Sequence, residues 1–132
     1  MSLDPVKWKK DYSTGNEAVD FQHQYFATLI NRISDNLLET NDIEYRKRLI
    51  DELVKYGQFH FTSEENIAIA LGLKAVGKHH DRHMELLEEI RHYSEDLFAG
   101  KCTTQDFIEF LFHWFIGHTV YEDTSFFSQK TY

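Results

Sequence analysis

Four segments of this chain carry apolar residues at steps of three and four, and the same stripes carry seven residues able to bind a metal. Steps of that kind mark amphipathic helices, since a half-buried strand would alternate instead. The first stripe runs through Val19, His23, Phe26, Ile30, Ile33 and Leu37. The second runs through Leu49, Leu53, Tyr56, His60, Glu64, Ile67 and Leu71. The third holds His79, His83, Leu86, Ile90 and Leu97, and the fourth Phe107, Leu111, Trp114, His118 and Tyr121. Polar residues from Glu39 to Asp42, then Gly72, Gly77 and Gly100, break the stripes, and Thr103 or Thr104 is placed to cap the fourth. Pro5 is the one proline, and the glycines are scattered singly, so nothing marks a linker or a turn-rich sheet. Helices of roughly 20 residues with such short connections pack as antiparallel neighbours. The expected fold is all-α, an antiparallel up-down-up-down four-helix bundle over residues 18–128. Residues 1–17 form an N-terminal arm packed on it around Trp8. At 132 residues, the chain is expected to be a single domain.

The metal-binding residues are His23, then His60 with Glu64, then His79 with His83, then His118 with Asp123. Residues four apart lie about 40° apart around a helix, so His60 and Glu64 share a face, as do His79 and His83. A bundle core cannot hold five imidazoles and two carboxylates bare, because an unpaired buried carboxylate costs several kcal/mol or more. Metal cations would remove that cost. Imidazole with carboxylate suits iron or zinc, and this set is too large for one tetrahedral zinc but suits two metals that share carboxylates. Two iron ions are the best reading, although zinc and manganese accept the same donors.

The pattern Asp20-Phe21-Gln22-His23, His60-Phe61-x-x-Glu64-Glu65, His79-x-x-x-His83 and Trp114-x-x-x-His118, with Asp123 five further on, resembles the hemerythrins, specifically the single-domain bacterial hemerythrins. The resemblance spans Trp8 to Phe127. It implies that His79, His83 and His118 bind one iron, that His23 and His60 bind the other, and that Glu64 and Asp123 bridge the two together with an oxo or hydroxo group. The iron with two histidines keeps an open position for dioxygen. The implied function is reversible oxygen binding, for transport, storage or delivery, and not catalysis. The competing readings are an oxygen or redox sensor acting through a protein partner, and a di-iron peroxidase or nitric oxide-handling enzyme. Reversibility needs apolar walls, for which Phe26, Phe59, Ile67 and Phe115 stand one helical step from ligands. Against the family's common pattern, Phe115 replaces a leucine, Thr119 replaces an isoleucine and brings a hydroxyl, and Ala68 replaces a methionine. The step from His118 to Asp123 is about 140° on an ideal α-helix, so a wide turn is expected near Val120 and Tyr121.

The remaining polar residues carry blander expectations. His80, His92 and His113 lack partners at family positions and read as solvated or structural. Glu65 reads as a surface charge, with a role as acceptor for a ligand imidazole as the alternative. Glu85, Glu88 and Glu89 read as a solvated helix face, and Tyr121 as packing, with a redox or hydrogen-bonding role between His118 and Asp123 as the alternative. A formal charge of -8 disfavours nucleic acid and anionic membrane, leaving dioxygen and a protein as the candidate partners, with a monomer expected. The lone Cys102 cannot form an internal disulfide, and Met1 to Tyr12 lacks the apolar core of a signal peptide. Charges interrupt every apolar run, so no membrane span is expected, and the cytoplasm is the expected compartment.

Overall fold

The computed structural model describes residues 4–129. Four long rods arise where the stripes lie: α1 (Glu17–Glu39), α2 (Ile43–Ala70), α3 (Val76–Phe98) and α4 (Thr104–Trp114), the last continued by a π-helical segment, Phe115–Glu122, and a short α5 (Asp123–Phe127). Each rod packs on its neighbours in sequence, and α4 packs back on α1, which closes a four-helix bundle. No helix among the described residues is long and apolar enough to cross a membrane.

Local chemistry sets the ends. Asn16 and Asp42 accept hydrogen bonds from the amides of Val19 and Tyr45, capping α1 and α2. Thr103 and Asp106 form a reciprocal capping box at the start of α4. Helix α2 ends on Gly72 at φ 71° and α3 on Gly100 at φ 76°, each followed by an amide that reaches back to a carbonyl five residues earlier, Leu73 to Ala68 and Lys101 to Asp96. Only glycine takes that left-handed backbone without strain.

The inward stripes meet in a core of Phe26, Ile30, Leu53, Phe61, Ile90 and Trp114, each at most 2% exposed. Trp114 satisfies its indole N–H by donating to the Leu86 carbonyl at 3.0 Å. The N-terminal arm is tied down at two points. The Asn31 side chain pairs with both backbone groups of Val6 at 2.8 Å, standing in for a strand partner. Asp20 accepts from the Ser13 hydroxyl, the Thr14 hydroxyl and the Thr14 amide at 2.6–2.7 Å. These bonds bury Tyr12 and set Trp8 against the helices. The first three residues of the expected arm lie outside the described residues.

Candidate metal centre

Six of the seven candidate metal-binding residues converge at one level of the bundle. His23 comes from α1, His60 and Glu64 from α2, His79 and His83 from α3, and Asp123 from the first position of α5. Their side chains are at most 9% exposed. They form two overlapping groups, His23 with His60 and His79 with His83, and Glu64 and Asp123 belong to both.

Each carboxylate divides its two oxygens between the two groups. Glu64 Oε2 lies 3.0 Å from His60 Nε2 and 3.5 Å from His23 Nε2, while Oε1 lies 2.6 Å from His79 Nε2 and 3.3 Å from His83 Nε2. Asp123 Oδ2 is 3.0 Å from His23 Nε2 and Oδ1 is 3.0 Å from His79 Nε2. This is the arrangement of two bridging carboxylates between two sets of imidazoles.

The electrostatics show what such a cluster lacks. Burial pushes the Asp123 carboxyl well above the carboxylate range, and the neighbouring Glu64 pushes it further. Burial acts the same way on Glu64, but the imidazoles of His23, His60, His79 and His83 around it override that effect and hold Glu64 well below its ordinary value. Burial lowers His60. Burial would lower His79 as well, but Asp123 and Glu64 override it and raise that imidazole to about 9. Two buried carboxylates in contact need positive charge between them. His60 Nε2, His83 Nε2 and Glu64 Oε2 are buried without a hydrogen-bond partner among the described residues, so the donors that would face a cation are the ones left over. The residues fit a pair of metal ions in donor type, number and sharing.

Behind the ligands stand residues that orient them. His60 Nδ1 donates to Gln22 Oε1 at 2.8 Å, and the Gln22 amide is fixed by donating to Ser63 at 2.9 Å. His83 Nδ1 donates to Glu65 Oε2 at 2.6 Å, and His80 Nδ1 donates to Glu65 Oε1 at 2.7 Å. Both bonds commit Nδ1, which leaves Nε2 free for a metal. Two phenyl rings lie flat on ligands, Phe61 on His83 at 4.0 Å and Phe126 on His79 at 3.9 Å. Sequence reasoning missed Phe126. Gln22 and Phe61 sat in the quoted motifs without a role. For Glu65 the alternative holds over the surface charge: it accepts from two imidazoles, those of His83 and His80, and His80 is half-exposed but not merely solvated.

The expected oxygen-pocket residues divide. Phe26 and Phe115 are fully buried, with ring centroids 5.7 Å from His60 and 6.4 Å from His23 respectively, and 5.5 Å from each other. Phe59 is corrected: its side chain is 59% exposed. It lies in a surface groove with Thr62, Ser63 and Asn66, and half-buried Ile67 lines the same groove. Phe59 precedes His60 by one residue, about 100° around the helix, which turns it to solvent when His60 faces the core.

The wide turn expected near Val120 and Tyr121 is the π-helical segment Phe115–Glu122, longer than two residues and centred on the fourth rod's passage through the metal level. In that segment Thr119 is 1% exposed with its hydroxyl unpartnered among the described residues. His118 stands outside the two groups. Its Nδ1 lies 2.8 Å from Glu122 Oε1, and the Arg82 guanidinium, itself bonded to Glu122 at 3.1 Å, packs against the ring. Tyr121 is exposed and meets the buried Tyr12 of the arm edge to face.

Known proteins resemble the chain over most of its length. Residues 14–129 match the family model described as the Hemerythrin HHE cation binding domain. Among similar proteins are the bacteriohemerythrin of Clostridium acetobutylicum, 22% identical over 88% of this chain and 94% of its own, and that of Pseudomonas aeruginosa, 24% identical over 90% and 77%. The bacteriohemerythrin of Methylococcus capsulatus is 27% identical over 82% of each chain.

Proposed function

The chain belongs to the hemerythrin family, and from that premise we propose that it binds dioxygen reversibly at a pair of iron ions, as a carrier, store or delivery protein. The observation that supports this most is the split of Glu64 and Asp123 between two histidine groups, since shared carboxylates serve two metals and not one. In this reading His23 and His60 hold one iron, His79 and His83 hold the other, and Glu64 and Asp123 bridge them together with an oxo or hydroxo group. His118 is proposed as the third imidazole on the His79 side. The ring of His118 is engaged by Arg82 and Glu122, so ligation by His118 requires its side chain to leave those two partners.

When bound, two ferrous ions supply the two electrons that allow dioxygen to be held and given back. The chain supplies the rest. Glu64 on α2 and Asp123 on α5 would hold the two ions between the histidine groups. Gln22 and Glu65 fix the tautomers of His60 and His83. Phe26 and Phe115 wall the His23 and His60 side with rings that carry no proton donor, which disfavours protonation and consumption of the ligand. That apolar wall is why binding is proposed over turnover.

The test is the visible spectrum of the iron-loaded, dithionite-reduced protein before air, in air and after evacuation. A charge-transfer band that appears with oxygen and vanishes on evacuation is the expected result. Direct passage to a stable ferric spectrum would overturn reversible binding and favour an oxidase or redox sensor.

A further inference from the structure

The two halves of the centre are backed by different chemistry. On the His60 side, the group that accepts the imidazole Nδ1–H is a neutral amide, Gln22 Oε1 at 2.8 Å. On the His83 side it is a carboxylate, Glu65 Oε2 at 2.6 Å. Among the described residues His79 shows no comparable contact and His23 Nδ1 is buried without a partner, while the Nδ1 of His118, outside the convergent groups, lies 2.8 Å from the Glu122 carboxylate. The polarity of the backing therefore differs by one formal charge between the halves, at residues adjacent in space to the ligands but not ligands themselves.

The geometry around Glu65 suits a tuning role. The side chain is only 15% exposed, lies at the solvent edge of α2, and uses both oxygens. One takes His83 and the other takes His80, whose side chain is 50% exposed. Holding both oxygens keeps the carboxylate in the plane and at the distance that His83 needs. A carboxylate acceptor on Nδ1 draws that proton away from the ring and gives Nε2 more negative charge, so the metal on Nε2 becomes a better electron donor. A neutral amide does this far less. Phe61, stacked on His83, shields the same ring from water and keeps the interaction strong.

Resting on the reading that two irons occupy the site, we propose that Glu65 is a positioning residue that makes the His79 and His83 half the first to be oxidised, while the amide-backed His60 half, where the open position lies, is the last to give up its electron. In a half-oxidised pair the ferric charge sits on the Glu65 side. The asymmetry directs electrons toward the iron that takes up dioxygen from the one that cannot.

The experiment uses the full chain loaded with iron-57 and checked for two bound irons by metal analysis. Mediated redox titration with dithionite and ferricyanide then gives two one-electron potentials, and Mössbauer spectra at half-oxidation show one ferric and one ferrous site. Glu65→Gln, which keeps size and removes charge, is expected to raise the lower potential. The shift in ferric-to-ferrous ratio is on the order of tenfold, about 59 mV for one electron. Gln22→Glu is expected to lower the upper potential by a comparable factor and narrow the gap between the two. Opposite shifts from the two variants are not produced by loosened packing alone. Two-iron protein whose potentials are unmoved by both substitutions, or moved in the reverse sense, overturns the inference while leaving the metal centre standing. Fewer than two irons in the unsubstituted chain overturns the two-iron reading itself, and this inference with it.

Discussion

The phenyl ring of Phe126 lies flat on the imidazole of His79, with 3.9 Å between centroids and 6° between planes. His79 is the least enclosed of the convergent histidines, at 9% exposure against 0–1% for His23, His60 and His83. Phe126 is the ring that covers it. Phe126→Ala is expected to cost on the order of 1 kcal/mol of stacking and to open His79 to water. Iron should then pass to an external chelator about tenfold faster. Equal rates in the two proteins would mean that iron escapes by another side.

Asp20 fastens the arm with three hydrogen bonds, and burial, which would raise its carboxyl, is overcome by those bonds to Ser13 and Thr14, so it stays below its ordinary value. Asp20→Ala is expected to release the arm at a cost of about 2 kcal/mol, each bond to a charged acceptor contributing at most that order and the exposed one little. Trp8, whose ring lies 6.2 Å from His23, would become solvated. Its fluorescence should shift to the red while two irons remain bound. An unshifted spectrum would place the anchoring elsewhere, at Asn31.

The pH dependence of the iron-free chain, prepared with chelator, follows from His79 and Asp123. His79 is raised from 6.5 to about 9, burial being outweighed by the two carboxylates, so its contribution to stability is full below about pH 6.5 and is lost as pH rises through about 9. Asp123, raised mainly by burial, prefers its protonated form in the fold, which again penalises the fold as pH rises. Denaturant midpoints should therefore fall between pH 6.5 and 9 without iron. With iron bound the cations replace those protons, and the slope over that window should flatten. A midpoint that climbs with pH in the chelated protein contradicts this account.

Much of this was legible in the stripes. Three- and four-residue steps place His60 with Glu64 and His79 with His83 on inward faces, and the five-residue step from His118 to Asp123 demanded a wide turn, which the π-helical segment provides. What one dimension cannot carry is the axial register and the rotamers that bring separate helices into contact. Glu65 follows Glu64 at about 100°, which points it off the core stripe, yet α3 lies on that flank and supplies His80 and His83 to it. Phe59 and Phe26 both stand near a ligand in sequence, but only Phe26 faces the bundle. Phe126 comes from α5, which continues the fourth rod, and reaches His79 because that rod packs beside α3.

His118 and Thr119 offer the sharpest test of the ligand set. The π-helical segment gives its buried face to Thr119, whose hydroxyl has no partner among the described residues, and gives His118 to Glu122 and Arg82. A hydroxyl is a poor iron ligand beside an imidazole, and an unsatisfied buried hydroxyl costs about 1–3 kcal/mol. Moving the His118 side chain from Glu122 and Arg82 to the centre would give iron a third imidazole. On the proposed ligand set, adding zinc as a diamagnetic stand-in for iron should move the His118 ring signals and its two neighbours' backbone signals in NMR spectra. His118→Ala should weaken metal binding by roughly 10- to 100-fold, whereas His113→Ala, on the exposed side of α4, should leave it unchanged. If His118→Ala binds two metals as tightly as the unsubstituted chain, the centre is complete with His23, His60, Glu64, His79, His83 and Asp123. The imidazole would then belong to the surface cluster of Arg82 and Glu122.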